Sequence, residues 1–150
     1  VRISARAEYA VRSVIEIAAR APELVKSDQI AAAQEIPAKF LEQILSDLRR
    51  AGLVSSRRGA DGGYVLARPA AEISLADIIR AVDGPLAWVR DQRPGAVAYT
   101  GNAAPLREVW IAVRAALRSV LDDVTVADVL SGELPASVTA FTDDEDVWLD

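Results

Sequence analysis

Apolar positions recur at helical spacing along most of this chain and switch to short extended runs only once. From Ser4, a helix cap, to about Arg20, the residues Tyr9, Val11, Val14, Ile15 and Ala18 share one helical face, and Pro22 lies just past the end. Ser27 is the next cap, opening the short helix "DQIAAAQ". After Ile36-Pro37 comes the stronger pattern "AKFLEQILSDLRRAG", in which Leu41, Ile44, Leu45 and Leu48 form one stripe and Gly52 supplies the stop. Lys39, Gln43, Ser46 and Arg50 occupy the opposite face, with Glu42 and Asp47 on its flanks.

Beyond Gly52 the period shortens. "LVSSR" and "YVLAR" read as two strands of a hairpin around "RGADGG", with Asp61-Gly62 as a two-residue turn. Ser74 to Asp77 opens a helix that ends near Asp83-Gly84. Residues 86–104 lack a period and contain Pro94, Gly95 and Gly101, the composition of a long loop. A helix follows from Pro105 to about Asp122, where Leu106, Val109, Trp110, Val113, Leu117, Val120 and Leu121 keep a broad stripe apolar over five turns. So long a stripe at the margin of a small domain predicts a partner surface. Thr125 caps a last short helix, "VADVLSG", and "TDDEDVWLD" reads as a solvated acidic tail. The fold class expected is mainly α with a small β-hairpin.

Composition narrows the chemistry. Cysteine, histidine and methionine are all absent from the 150 residues, which removes thiol, histidine and serine-histidine catalysis and every Cys or Cys/His metal site. Glu108, Asp122 and Asp123 on the long helix show no catalytic pairing and read as surface charges, so no enzyme is expected. No apolar run approaches the roughly 18 residues of a membrane span. The first 20 residues alternate charge with apolar groups, unlike an export signal, and the expected location is cytoplasmic. The net charge of −5 divides unevenly: residues 1–68 carry +3 and residues 69–150 carry −8. A basic amino-terminal half can face a polyanion while the acidic half stays away from it.

Helix, short helix, turn, amphipathic helix and glycine-tipped hairpin, in that order, describe a winged helix-turn-helix. The third helix would enter a DNA major groove, and the hairpin would reach the backbone or minor groove beside it. Lys39, Gln43 and Arg50 then meet bases or phosphates, and Glu42 can accept from a cytosine amino group. From this helix alone, a merely solvated polar face is an equal alternative. The hairpin favours DNA, because Arg57 and Arg58 stand at its base and glycines let the backbone approach closely. It is no phosphate loop of an enzyme, since a strand rather than a helix follows it. A winged-helix module that binds another protein through Gln43, Arg50 or the acidic tail remains the alternative.

The segments "VRISARAEYAVRSVIEIA", "LEQILSDLRRAGLVSSRRGADGGYVLARPAAEISLADIIRAVDGPL" and "LREVWIAVRAALRSVLDDVTVADVL" closely resemble the Rrf-type winged-helix transcription regulators, the IscR, NsrR and CymR family, over about residues 2–130. The resemblance implies a homodimer on an imperfect palindrome of double-stranded DNA, with repression the expected mode. It divides the chain into a DNA-binding domain (1–84), a sensor-type loop (85–104), a dimerisation helix with a short terminal helix (105–131) and an acidic tail (132–150). The DNA-contacting set is then Ser27, Pro37, Lys39, Phe40, Glu42, Gln43, Arg50, Arg57, Arg58, Gly59, Gly62 and Gly63, with Arg58 at the position of the minor-groove arginine. Residues 106–121 supply the dimer face through the stripe named above.

Departures matter as much. The family's cluster-ligand positions fall on Gln92, Ala98, Ala104 and Arg107, none able to ligate an iron-sulfur cluster, so no cofactor is expected. Glu35 stands where the family usually has glycine, and Asp61 where a basic or small residue is common. Trp88, Tyr99, Arg107 and Trp110 could line a pocket for an aromatic or anionic metabolite; alternatively Trp110 is dimer core and the loop covers it.

Overall fold

The computed structural model describes residues 1–149. Helices α1 (Ala5–Ala19), α2 (Ser27–Gln34) and α3 (Ala38–Arg50) lead into strands β1 (Val54–Arg57) and β2 (Gly63–Leu66). Then follow α4 (Leu75–Asp83), α5 (Leu106–Leu121), α6 (Val126–Ser131) and α7 (Ala136–Thr142). The expected mainly helical winged fold is what forms.

Its core is the one the helical stripes foretell. Val14 and Ile17 from α1, Ile30 from α2, Leu41, Ile44, Leu45 and Leu48 from α3, and Ile78 from α4 are buried together. Each such side chain is worth about 1.5–3 kcal/mol of burial, enough to override the weak propensity of the short α2. Ser4 caps α1 by accepting from the Ala7 amide at 2.9 Å. At the far end of α3 the Leu53 amide donates to the Leu48 carbonyl across Gly52, whose φ is 75°. This glycine-closed end fixes where the chain leaves α3 and enters the wing.

Two expectations, the cap of α2 and the turn of the wing, need correction. Ser27 is the first residue of α2, and Lys26 is the cap position, where its amide donates to Gln29 Oε1 at 2.9 Å. The wing does not turn on Asp61-Gly62. Arg57 pairs with Gly63, so five residues, 58–62, form the tip, closed by the Gly62 amide on the Gly59 carbonyl at 3.0 Å. Within the acidic tail, α7 and a 3-10 turn at Glu145–Trp148 form, with Trp148 donating to the Thr142 carbonyl. Helix α6, grouped above with α5, also packs on the winged domain. Leu75 donates to Val124 and Val126 to Ile73, and Val126 is fully buried in the shared core.

Candidate nucleic-acid interface

The wing is fastened to the start of α2 by backbone. Val25 and Tyr64 exchange hydrogen bonds at 2.9 and 2.7 Å, an isolated antiparallel bridge between residues distant in sequence. Gly63 makes this possible, because a Cβ there would lie 2.7 Å from the Val25 carbonyl oxygen. Gly62 is equally constrained, since its Cβ would come 2.1 Å from the Arg57 carbonyl oxygen. These two glycines serve the wing's shape and its docking rather than contact alone.

Two connected depressions result. One, of about 490 Å³, is lined by Lys39, Glu42, Gln43, Ser46, Arg49 and Tyr64. The other, about 420 Å³, runs from Lys26, Ser27 and Asp28 across Arg49 and Ser56 to Arg57, Arg58, Gly59, Gly62 and Gly63. Arg49 and Tyr64 border both, so the polar face of α3, the start of α2 and the wing form one continuous surface. Five cations, Lys26, Lys39, Arg49, Arg57 and Arg58, outnumber its two carboxylates, Asp28 and Glu42. The amino end of α2 adds the positive end of its dipole, suited to a phosphate.

The α3 side chains are pre-set by one carboxylate. Asp47 accepts from Gln43 Nε2 at 3.1 Å and from Arg50 at 3.4 Å, and it also pairs with Arg6 of α1. It is therefore an anchor rather than a flank residue. Gln43 keeps its carbonyl oxygen and one amide hydrogen for another partner, and Arg50 stays 72% exposed. Phe40, 46% exposed, lies beside Tyr9 with ring centroids 6.1 Å apart, and the Lys39 ammonium sits 4.9 Å from the Phe40 ring. Pro37 occupies the cap position of α3. Lys26, Arg49, Ser56 and Tyr64 were missing from the sequence-derived set. The doublet Arg49-Arg50 offered a signal for Arg49, whereas Lys26 and Tyr64 join the surface only through the Val25 bridge.

The proposed effector residues do not gather into one pocket. Trp110 Nε1 donates to the Tyr99 hydroxyl at 2.9 Å, and Arg107 donates to the Gly95 carbonyl at 3.0 Å. Trp88 instead lines a separate cleft with Ile79, Leu117 and Leu121. The 85–104 segment covers the helix, pinned by buried Pro94 and Val97.

Residues 3–132 match the Rrf2 family, described as iron-dependent transcriptional regulators. The Mycobacterium tuberculosis protein Rv1287, an HTH-type regulator by name, is 52% identical over 144 residues, 95% of this chain and 89% of its own. The HTH-type transcriptional regulator CymR of Bacillus subtilis is 38% identical over 136 residues, 87% of this chain and 90% of its own. Among solved structures, B. subtilis CymR, described as the global cysteine regulator, superposes with a TM-score of 0.73 at 36% identity, covering 88% of this chain and 98% of that one. T. potens IscR gives 0.71 at 32% identity over 88% of each chain. By its fold, its basic winged face and these relatives, the chain belongs to the Rrf2 family of helix-turn-helix transcriptional regulators.

Proposed function

We propose that the protein is a homodimer that binds a specific, imperfectly palindromic DNA site and represses by occupying it. The observation that carries the DNA reading is the continuous five-cation surface joining α3, the start of α2 and the wing. Gln43 and Glu42 on α3 meet base edges, Lys26, Lys39, Arg49 and Arg57 meet phosphates, and Arg58 at the wing tip enters the minor groove.

The dimer reading is supported by α5. It has no buried residue within one chain, and Leu106, Val109 and Ile111 are exposed along it. Trp110, Val113, Leu117, Val120 and Leu121 are half-buried. A second α5 would cover this stripe and set two winged domains on successive half-sites about one helical turn apart.

The residues present do not fit a cysteine-ligated cluster. The chain has no cysteine or histidine. Gln92, Ala98 and Ala104 offer an amide and two methyl groups, and the Arg107 guanidinium is engaged by the Gly95 carbonyl. We therefore infer that switching does not run through such a cluster.

Sequencing the genomic fragments retained by the purified protein tests the reading. One recurrent motif with two inverted halves supports it; uniform recovery of all fragments, or capture of a protein and no DNA, would overturn it.

A further inference from the structure

Away from the wing, the acidic half of the chain holds a cationic concavity. A cleft of about 280 Å³ between the end of α4, the 85–104 segment and α5 is lined by Arg80, Arg93, Arg114, Gly84, Pro85 and Leu86. No carboxylate is among these residues. Arg80 is held in place from behind by Asp122, with its two nitrogens 2.8 and 3.2 Å from the two carboxylate oxygens, and lies 4.0 Å from Asp77. Asp122 also accepts from Arg118 at 2.9 Å, so one carboxylate already serves two guanidiniums. Hydrogen bonds from Arg80 foremost, and then from Arg118, hold its carboxyl below the usual aspartate range. Arg93 and Arg114 have neither an ion pair nor a side-chain hydrogen bond among the described residues.

Arg80 is offset by Asp122 and Asp77, whereas Arg93 and Arg114 face the concavity with no carboxylate partner among the described residues. A guanidinium fork matches carboxylate and phosphate oxygens in a bidentate way. Pro85 and Leu86 add an apolar edge that such an ion lacks, so a small organic body is accommodated beside the charge. The volume limits the occupant to a small metabolite.

We propose that this cleft is an effector site for a small organic anion whose carboxylate or phosphate oxygens are held by Arg93 and Arg114, with Arg80 completing the cradle. Its position suits regulation. Arg80 belongs to α4, which packs on α1 and on α3, while Arg114 belongs to the α5 helix. Pro85 and Leu86 also border the neighbouring cleft that holds Trp88. An anion bridging Arg80 and Arg114 ties the winged domain to α5 and fixes the angle between two half-site readers. This effect on DNA rests on the function proposed above; binding in the cleft does not, and is measured without DNA.

The test is a titration of the full chain followed through the arginine Nε–Hε resonances, using inorganic phosphate, succinate and the uncharged succinamide as probes. Saturable shifts at Arg93 and Arg114 with phosphate or succinate, and none with succinamide, are expected; whichever anion binds more tightly identifies the phosphate or carboxylate source. Arg93→Ala and Arg114→Ala each weaken binding by roughly tenfold, the loss of one charge-assisted hydrogen bond. Both side chains lie at the surface of the fold, and an unchanged amide spectrum verifies each variant. The proposal is overturned if neither anion gives saturable shifts at millimolar concentration, if the shifts fall on Arg57 and Arg58 instead, or if both variants bind as the parent does.

Discussion

Replacing Gly63 by alanine probes the joint on which the whole proposed DNA-binding surface depends. The new Cβ would meet the Val25 carbonyl oxygen at 2.7 Å, its carbon at 2.8 Å and the Val25 nitrogen at 3.0 Å. All three are backbone atoms, so no side chain can swing aside. The backbone φ of 150° adds strain for any residue with a Cβ. The strand must move off Val25, and the two hydrogen bonds of the Val25–Tyr64 bridge, 2.9 and 2.7 Å long, are lost. Two such bonds contribute about 1 kcal/mol each, and overpacking costs about 1–3 kcal/mol where it cannot relax. Because relief of the clash and loss of the bonds are alternatives rather than a sum, the expected destabilisation is about 1–3 kcal/mol, roughly 3–10 °C in Tm for a domain of this size. Thermal unfolding by circular dichroism measures it, with Gly95→Ala as the comparison, since a Cβ at Gly95 meets nothing within 4 Å. A Gly63→Ala protein melting within about 1 °C of the parent would refute the bridge and the wing placement built on it.

Glu35 adopts φ 53° and ψ 46°, left-handed backbone that glycine takes without Cβ strain. Glu35→Gly therefore raises stability by about 0.5–1 kcal/mol, read as a small increase in Tm, and a lowered Tm would contradict it. Val109 is 47% exposed on α5, so Val109→Asp leaves the folded chain intact while placing a charge in the proposed interface; light scattering should show the mass of one chain where the parent shows two. Asp122 has its carboxyl lowered chiefly by hydrogen bonding to Arg80. A lowered folded value stabilises above the unfolded aspartate pKa of about 3.9 and is lost as pH falls through the folded value. Asp122→Asn should then cost about 0.5–1 kcal/mol at neutral pH, discounted for partial exposure, and the difference between the two melting temperatures should shrink as pH falls below the ordinary aspartate range.

Much of the fold was legible because one-dimensional period and burial coincide. Leu41, Ile44, Leu45 and Leu48 repeat at helical spacing and are the α3 core, with Gly52 ending the helix. The wing was legible as a hairpin, but its tip was misread: Gly62 resembles a turn glycine, yet it is fixed by closeness to the Arg57 carbonyl, a constraint visible only in three dimensions. The same holds for Lys26 and Tyr64, which a backbone bridge with no side-chain signature brings beside α3 and the wing. The aromatic residues of the 85–104 segment suggested a shared pocket by composition, whereas Tyr99 pairs with Trp110 and Trp88 sits elsewhere. The arginine cleft draws its members from α4, the loop and α5, so they are scattered in sequence and carry no local signal. The helix α7 escaped notice because "ASVTAFT" mixes β-branched and polar residues without an apolar stripe.

The central claim is that α3 and the wing together read DNA, and fluorescence anisotropy on the recovered site against a scrambled duplex tests it most directly, at several salt concentrations and with Arg58→Ala. The surface predicts specific binding that weakens steeply with salt, by about 10³–10⁵ between roughly 50 and 200 mM for 6–10 phosphate contacts per dimer. It also predicts a loss of about 1–3 kcal/mol on the specific site, with little change on the scrambled one, when Arg58 is removed. Equal affinity for both duplexes, or an Arg58→Ala protein that binds the specific site as the parent does, would contradict it.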